Sequence, residues 1–121
     1  MSDCLFCKII AGEIKGSAVH ENKDLVAIKD INPKAPVHLL VIPERHVDSF
    51  REIGEFSNRE TKRMMEFIAE VARDVGLRDY QVTTNVGAAA GQTIFHLHWH
   101  ILGRRHVHAA GRPETTAVTE L

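Results

Sequence analysis

The spacing of apolar residues changes several times along the chain, and each change marks an element. Residues 5–11, Leu5-Phe6-Cys7-Lys8-Ile9-Ile10-Ala11, read as a short helix that Gly12 stops, glycine being the usual residue for a left-handed cap. Residues 18–20 and 25–29 read as strands joined through Glu21-Asn22-Lys23-Asp24, a composition suited to a hairpin turn. Pro33 and Pro36 make residues 30–36 a loop, and residues 37–42 form an apolar strand that Pro43 ends. The clearest helix begins at Ser57, whose side chain can cap the first turn while Glu60 completes a capping box. Met64, Phe67, Ile68, Val71, Ala72 and Val75 then recur at helical spacing until Gly76. Residues 80–85 are predicted as a strand, 86–92 as a loop of small residues and 93–102 as a long strand. Antiparallel strands on one long helix, with a short N-terminal helix, make the class α+β rather than a doubly wound parallel sheet.

Alternation along the predicted last strand puts His96, His98 and His100 on one face and Phe95, Leu97, Trp99 and Ile101 on the other. The apolar face suits burial on the long helix, and the imidazoles stand in a row with Cα atoms roughly 6.5 to 7 Å apart.

Composition sets the bounds. At 121 residues, 44% hydrophobic and 26% charged, the chain fits one globular domain and excludes a disordered or fibrous one. A formal net charge of -1 gives no bulk attraction to nucleic acid or to anionic lipid. No apolar run is long enough to cross a bilayer, and Met1-Ser2-Asp3 does not open a secretion signal, so a cytoplasmic location is expected. In that reducing compartment the pair Cys4-x-x-Cys7 reads as metal-binding, redox-active or simply packed.

Three readings compete for the histidine row: a solvated strand face, a catalytic metal site, and nucleophilic or anion-binding imidazoles. Three alternate histidines in a strand disfavour the first, because histidine is not a strand former. His-x-His on a strand can ligate one ion, which keeps the second open. The third gains from Gly87-Ala88-Ala89-Ala90-Gly91-Gln92-Thr93, a small-residue loop feeding the row, whose backbone could form an anion-binding nest. A neutral imidazole is available as a nucleophile near pH 7.

The run Gly91-Gln92-Thr93-Ile94-Phe95-His96-Leu97-His98-Trp99-His100-Ile101-Leu102 resembles the signature of the histidine triad (HIT) superfamily. The resemblance extends through Asp30-Ile31-Asn32-Pro33 and His38-Leu39-Leu40-Val41-Ile42-Pro43 to Cys4-Leu5-Phe6-Cys7, and Ile101-Leu102-Gly103 is closer to the Hint branch than to Fhit. It implies the HIT fold, a five-stranded antiparallel sheet, with a HIT domain over residues 1–103; the polar composition from Arg104 onward makes 104–121 a C-terminal tail. The resemblance also implies a homodimer, while the charge balance and the apolar run lengths given above lead us to expect no nucleic acid or membrane partner.

The activity implied is cleavage of purine nucleoside phosphoramidates, or related nucleotidyl conjugates, at the α-phosphorus through a nucleotidyl-histidine. A dinucleoside polyphosphate hydrolase and a nucleotide-binding module without catalysis are the alternatives. Carried over residue by residue, His98 is the nucleophile, His100 contacts the α-phosphate, His38 is the remaining site histidine and His96 orients the others. Asp30 would hold the ribose hydroxyls, Phe6, Ile9, Ile28 and Ile31 the base, and Asn85, Gly91, Gln92 and Thr93 the phosphate and leaving group. No cofactor is implied for catalysis. Similar bacterial members place a structural zinc on positions matching Cys4, Cys7, His46 and His96. Lys29 departs from the histidine of animal Hint proteins, and the tail, with His106 and His108, lacks their Trp-Pro-Pro ending.

Overall fold

The computed structural model describes residues 4–13 and 18–105. Five strands, β1 (Ala18–Glu21), β2 (Leu25–Lys29), β3 (Val37–Pro43), β4 (Leu77–Thr83) and β5 (Trp99–Arg105), form one antiparallel sheet in the order β1-β2-β3-β5-β4. Helix α1 (Leu5–Ile10) lies on one face of it and α2 (Asn58–Asp74) on the other. The class is α+β, as the periodicities predict.

Local chemistry sets the boundaries. Ser57 and Glu60 make both halves of the capping box that starts α2, and Asn22 Oδ1 accepts from the amides of Asp24 and Leu25 to close the β1–β2 turn. Gly12, at φ 81°, takes the left-handed conformation that ends α1. The predicted stripe of α2 is buried at Met64, Phe67, Ile68, Val71 and Ala72, against Leu25, Ala27, Leu39, Val41, Trp99 and Ile101. Each large side chain buried there is worth about 1.5–3 kcal/mol. On the opposite face, Ile28, Leu40 and Ile42 pack with Phe6 of α1. β3, covered from both sides, is buried along its whole length.

Several boundaries differ from the sequence expectation. β5 begins at Trp99, so His96 and His98 lie in the irregular segment that leads into the strand and only His100 is within it. The cause is on the neighbouring strand: Val41 pairs with Trp99, and two residues back along β3's partner the ladder meets Pro43, which has no N–H to give. The Leu97 amide bonds the Val47 carbonyl instead. Phe95, expected on the apolar face, is 46% exposed, whereas Leu97, Trp99 and Ile101 are buried as expected.

β5 also runs through Arg104 and Arg105, two residues that the expected tail would have claimed; residues 106–121, including His106 and His108, lie outside the described ones. β4 starts earlier than predicted, at Leu77, and stops before Thr84 and Asn85, whose side chains bond the carbonyls of His98 and Ala90. Two 3-10 turns, Phe50–Glu55 and Ala88–Ala90, have no counterpart in the predicted elements.

Candidate functional site

The sheet face under α1 carries a cavity of about 590 Å³, within the usual range for small-molecule sites. Its walls include Phe6, Ile9, Ile28, Asp30, Ile31, His38, Asn85, Gly91, Thr93, His98 and His100, so eleven of the expected site residues converge on one space. Gln92 and His96 do not line it. Alternation explains the convergence, because His38 of β3 and His100 of β5 both face away from α2 and His98 follows the same alternation.

Gln92 corrects the expectation that its side chain reaches a phosphate. It is buried, its amide donates to the carbonyls of Asp48 and Ile94 at 2.7 and 3.0 Å, and its Oε1 accepts from the Gly87 amide at 2.9 Å. The glycine-alanine loop likewise spends the amides of Ala90, Gly91 and Gln92 on its own carbonyls. The expected backbone nest is therefore not free at those three positions, and Gly91 and Thr93 are what the loop places on the cavity wall.

The hydrogen-bond partners assign a tautomer to His38, His96, His98 and His100. The Lys34 amide donates to His38 Nδ1 at 3.1 Å, so the proton of a neutral His38 sits on Nε2. That Nε2 donates to His100 Nδ1 at 2.8 Å and lies 3.3 Å from an Asp30 carboxylate oxygen. His100 must then carry its own proton on Nε2. His98 Nδ1 donates to the His96 carbonyl at 2.8 Å, which leaves Nε2 as its lone-pair nitrogen. His96 Nε2 donates to the Pro43 carbonyl at 2.8 Å, leaving Nδ1 bare.

Burial keeps these rings neutral. It lowers the pKa of His98 and of His38, and pushes His100 to about 4, with further depression from His98 and His38. His96 is also lowered to about 4, again chiefly by burial. The Asp30 carboxylate opposes the shifts of His38, His98 and His100 without reversing them.

Two groups bring potential metal ligands together. Cys4, Cys7, His46 and His96 have ligand atoms within 4.8 Å of one another. His96 Nδ1 lies 3.3 Å from Cys4 Sγ and 3.4 Å from Cys7 Sγ, and His46 Nδ1 lies 3.3 Å from Cys7 Sγ. A tetrahedral zinc with two thiolates and two imidazoles has S···N edges of about 3.5 Å, so the set fits that ion. His46 Nε2 meets Asp48 at 3.2 Å, the carboxylate partner that commonly orients a ligating imidazole. Asp48 stands two residues after His46, a spacing that makes it findable from sequence.

Asp30, His38 and His100 form the second group. There the Lys34 amide occupies His38 Nδ1, so the Nε2 that would ligate already bears the proton. That group is a hydrogen-bond relay and a poor metal site. Lys34, Thr84, Asp48 and Pro43 were all missed as site residues. The Thr84 hydroxyl donates to the His98 carbonyl at 2.6 Å, and no sequence motif advertises such a contact.

A model of the HIT domain matches residues 11–107. Protein HitA of Neisseria gonorrhoeae is 43% identical over 104 residues, covering 85% of this chain and 97% of its own length. A HIT family hydrolase from Clostridium thermocellum has the same fold with a TM-score of 0.76 at 38% identity, covering 93% of this chain and 97% of the other. A second HIT family hydrolase, from Legionella pneumophila, gives a TM-score of 0.80 at 34% identity over 91% of this chain and all of the other, 100%. The match to the domain model begins at residue 11, immediately after α1, so every strand and α2 fall inside it and both cysteines fall outside.

Proposed function

The chain belongs to the HIT domain family, and on that premise we propose that it is a purine nucleotide-binding hydrolase that cleaves nucleoside phosphoramidates or related conjugates at the α-phosphorus. The observation that carries this reading is the bond from His98 Nδ1 to the His96 carbonyl, which leaves a neutral, bare Nε2 on a ring lining the cavity. Such a nitrogen can attack phosphorus without first shedding a proton. In the first step the Nε2–P bond forms, the bond from phosphorus to the leaving nitrogen breaks, and that nitrogen takes up a proton from solvent water, which the hydrolytic water of the second step gives back. Water then attacks the nucleotidyl-histidine, releasing the nucleoside monophosphate and restoring His98. His100, with its proton on Nε2, is the donor for a phosphate oxygen, and the Lys34–His38 chain holds it in that tautomer. Asp30 lies at the cavity wall to accept from ribose hydroxyls, and Phe6, Ile9, Ile28 and Ile31 supply the apolar surface for the base.

Zinc is the ion proposed for Cys4, Cys7, His46 and His96. With four protein ligands it has no open position for substrate, so its contribution is structural. A homodimer completes the reading, with β4, an edge strand exposing Tyr80 and Val82, as the joining edge.

The test is trapping. Incubation with an adenosine phosphoramidate, quenching and peptide mass spectrometry should find an adenylyl group on His98. His98→Ala should lower turnover by on the order of 10³-fold or more while leaving AMP affinity within a few-fold. An adduct on another residue, or unchanged turnover in the variant, defeats the assignment.

A further inference from the structure

The thiol–imidazole group and the cavity share their structural supports. α1 has only six residues, far short of the ~12–15 that an isolated helix needs to persist in water. Cys4, its N-cap, and Cys7 meet His96 Nδ1, while Phe6, 2% exposed, stands edge-on to the His98 ring with centroids 5.0 Å apart. Leu5 and Ile9 of the same helix line the cavity. One residue therefore lies between the thiols and the proposed nucleophile: the ring of His96 faces the thiols and its carbonyl accepts the hydrogen bond from His98 Nδ1. On the far side His46 bonds the Asp48 carboxylate, and the Asp48 carbonyl receives the Gln92 amide that holds the loop carrying Gly91.

We propose that Cys4, Cys7 and His46 are positioning residues for the nucleotide cavity. Zinc held by them and His96 fixes α1 as the wall of the base pocket and fixes the backbone that orients His98, so zinc and nucleotide bind cooperatively. This rests on the nucleotide-binding reading above. The covered wall is what nucleotide contacts, and an unclamped α1 must be ordered at the expense of nucleotide affinity. Such coupling is reciprocal: the factor by which zinc tightens AMP is the factor by which AMP tightens zinc.

The experiment measures AMP affinity by calorimetry on zinc-loaded and chelator-stripped protein, and zinc affinity against a chromophoric chelator with and without saturating AMP. Stripping should weaken AMP binding by ~10-fold, zinc should restore it, and AMP should tighten zinc by the same factor, in the ordinary range for coupled sites. A metal that only stabilised the fold would move the melting temperature and leave the AMP affinity of the folded protein alone. His46→Ala keeps the question answerable if stripped protein unfolds, because that side chain is 37% exposed and lies outside the core. The variant should bind AMP weakly at limiting zinc and recover in excess zinc. Stripped protein, or His46→Ala protein at limiting zinc, that is folded by circular dichroism and binds AMP like the zinc-loaded wild type overturns the coupling alone. Failure of the wild type to bind zinc overturns it too, while leaving nucleotide binding standing if AMP still binds. Failure of zinc-loaded protein to bind AMP brings down the nucleotide reading, and the coupling with it.

Discussion

A neutral imidazole has two tautomers, and in this site backbone groups, with the His38 ring for His100, make the choice. The Lys34 amide sets His38, His38 sets His100, the His96 carbonyl sets His98 and the Pro43 carbonyl sets His96. Neutrality has a cost in acid. His100 titrates near 4 in the fold because of burial and of His98, His38 and Lys34, with Asp30 pulling the other way, against about 6.5 in the unfolded chain. Because the folded value is depressed, the unfolded chain binds more protons across that interval, so the stability His100 allows is complete above about 6.5 and is lost as pH falls toward 4. The melting temperature should drop through this window, and His100→Gln should flatten the drop by about one proton's worth of slope. An unchanged slope in the variant would acquit His100. The histidine row and the cysteine pair were legible in the sequence because their spacing carries the chemistry, whereas Asp30, His38 and His46 were legible only through the family resemblance. Lys34 and Pro43 were not legible, because each acts through a backbone atom, which its side-chain type does not advertise.

Elements were legible where one face is buried against a helix and obscure where a neighbour decides the boundary. The stripe of α2, its capping box and the β1–β2 turn are local properties, and they follow from local residues. The start of β5 does not, since Pro43 on β3 withholds the partner that would extend the ladder. The 3-10 turn Phe50–Glu55 has its own capping box at Ser49 and Glu52 but is too short to show a hydrophobic period. Gly103 shows the same dependence on a neighbouring strand. The β4 register shifts between Leu77 and Tyr80, and a Cβ on Gly103 would lie 3.0 Å from the Asp79 carbonyl oxygen and 3.0 Å from Tyr80 Cβ. Gly103→Ala must push one backbone off the other, which should cost about 1–3 kcal/mol. Urea denaturation should show a lower midpoint at unchanged slope, as expected for a lost native contact rather than an altered unfolded state. An unshifted midpoint would mean the bulge has room to give.

For the whole molecule, assembly is a matter of the two sheet edges. β1 is four residues long, its pairing shifts between Ala18 and His20, and it ends in Glu21, features that blunt an edge. β4 is seven residues long and leaves Tyr80 and Val82 36% and 43% exposed. An edge of that length and character favours pairing with a second copy, which would join two five-stranded sheets into one. Such a dimer bears on chemistry through the chain that follows. Val82 is succeeded by Thr83, on the cavity wall, and by Thr84, whose hydroxyl holds the His98 carbonyl. Val82→Lys should place a charge where the edges meet and shift sedimentation at micromolar concentration from dimer to monomer. It should also abolish the concentration dependence of the melting temperature that an obligate pair displays. If the edge steadies the threonines, turnover by the monomer should fall several-fold while far-ultraviolet circular dichroism stays unchanged. A wild-type chain that sediments as a monomer at every concentration would detach β4 from assembly, and the two threonines would then depend on the single sheet alone.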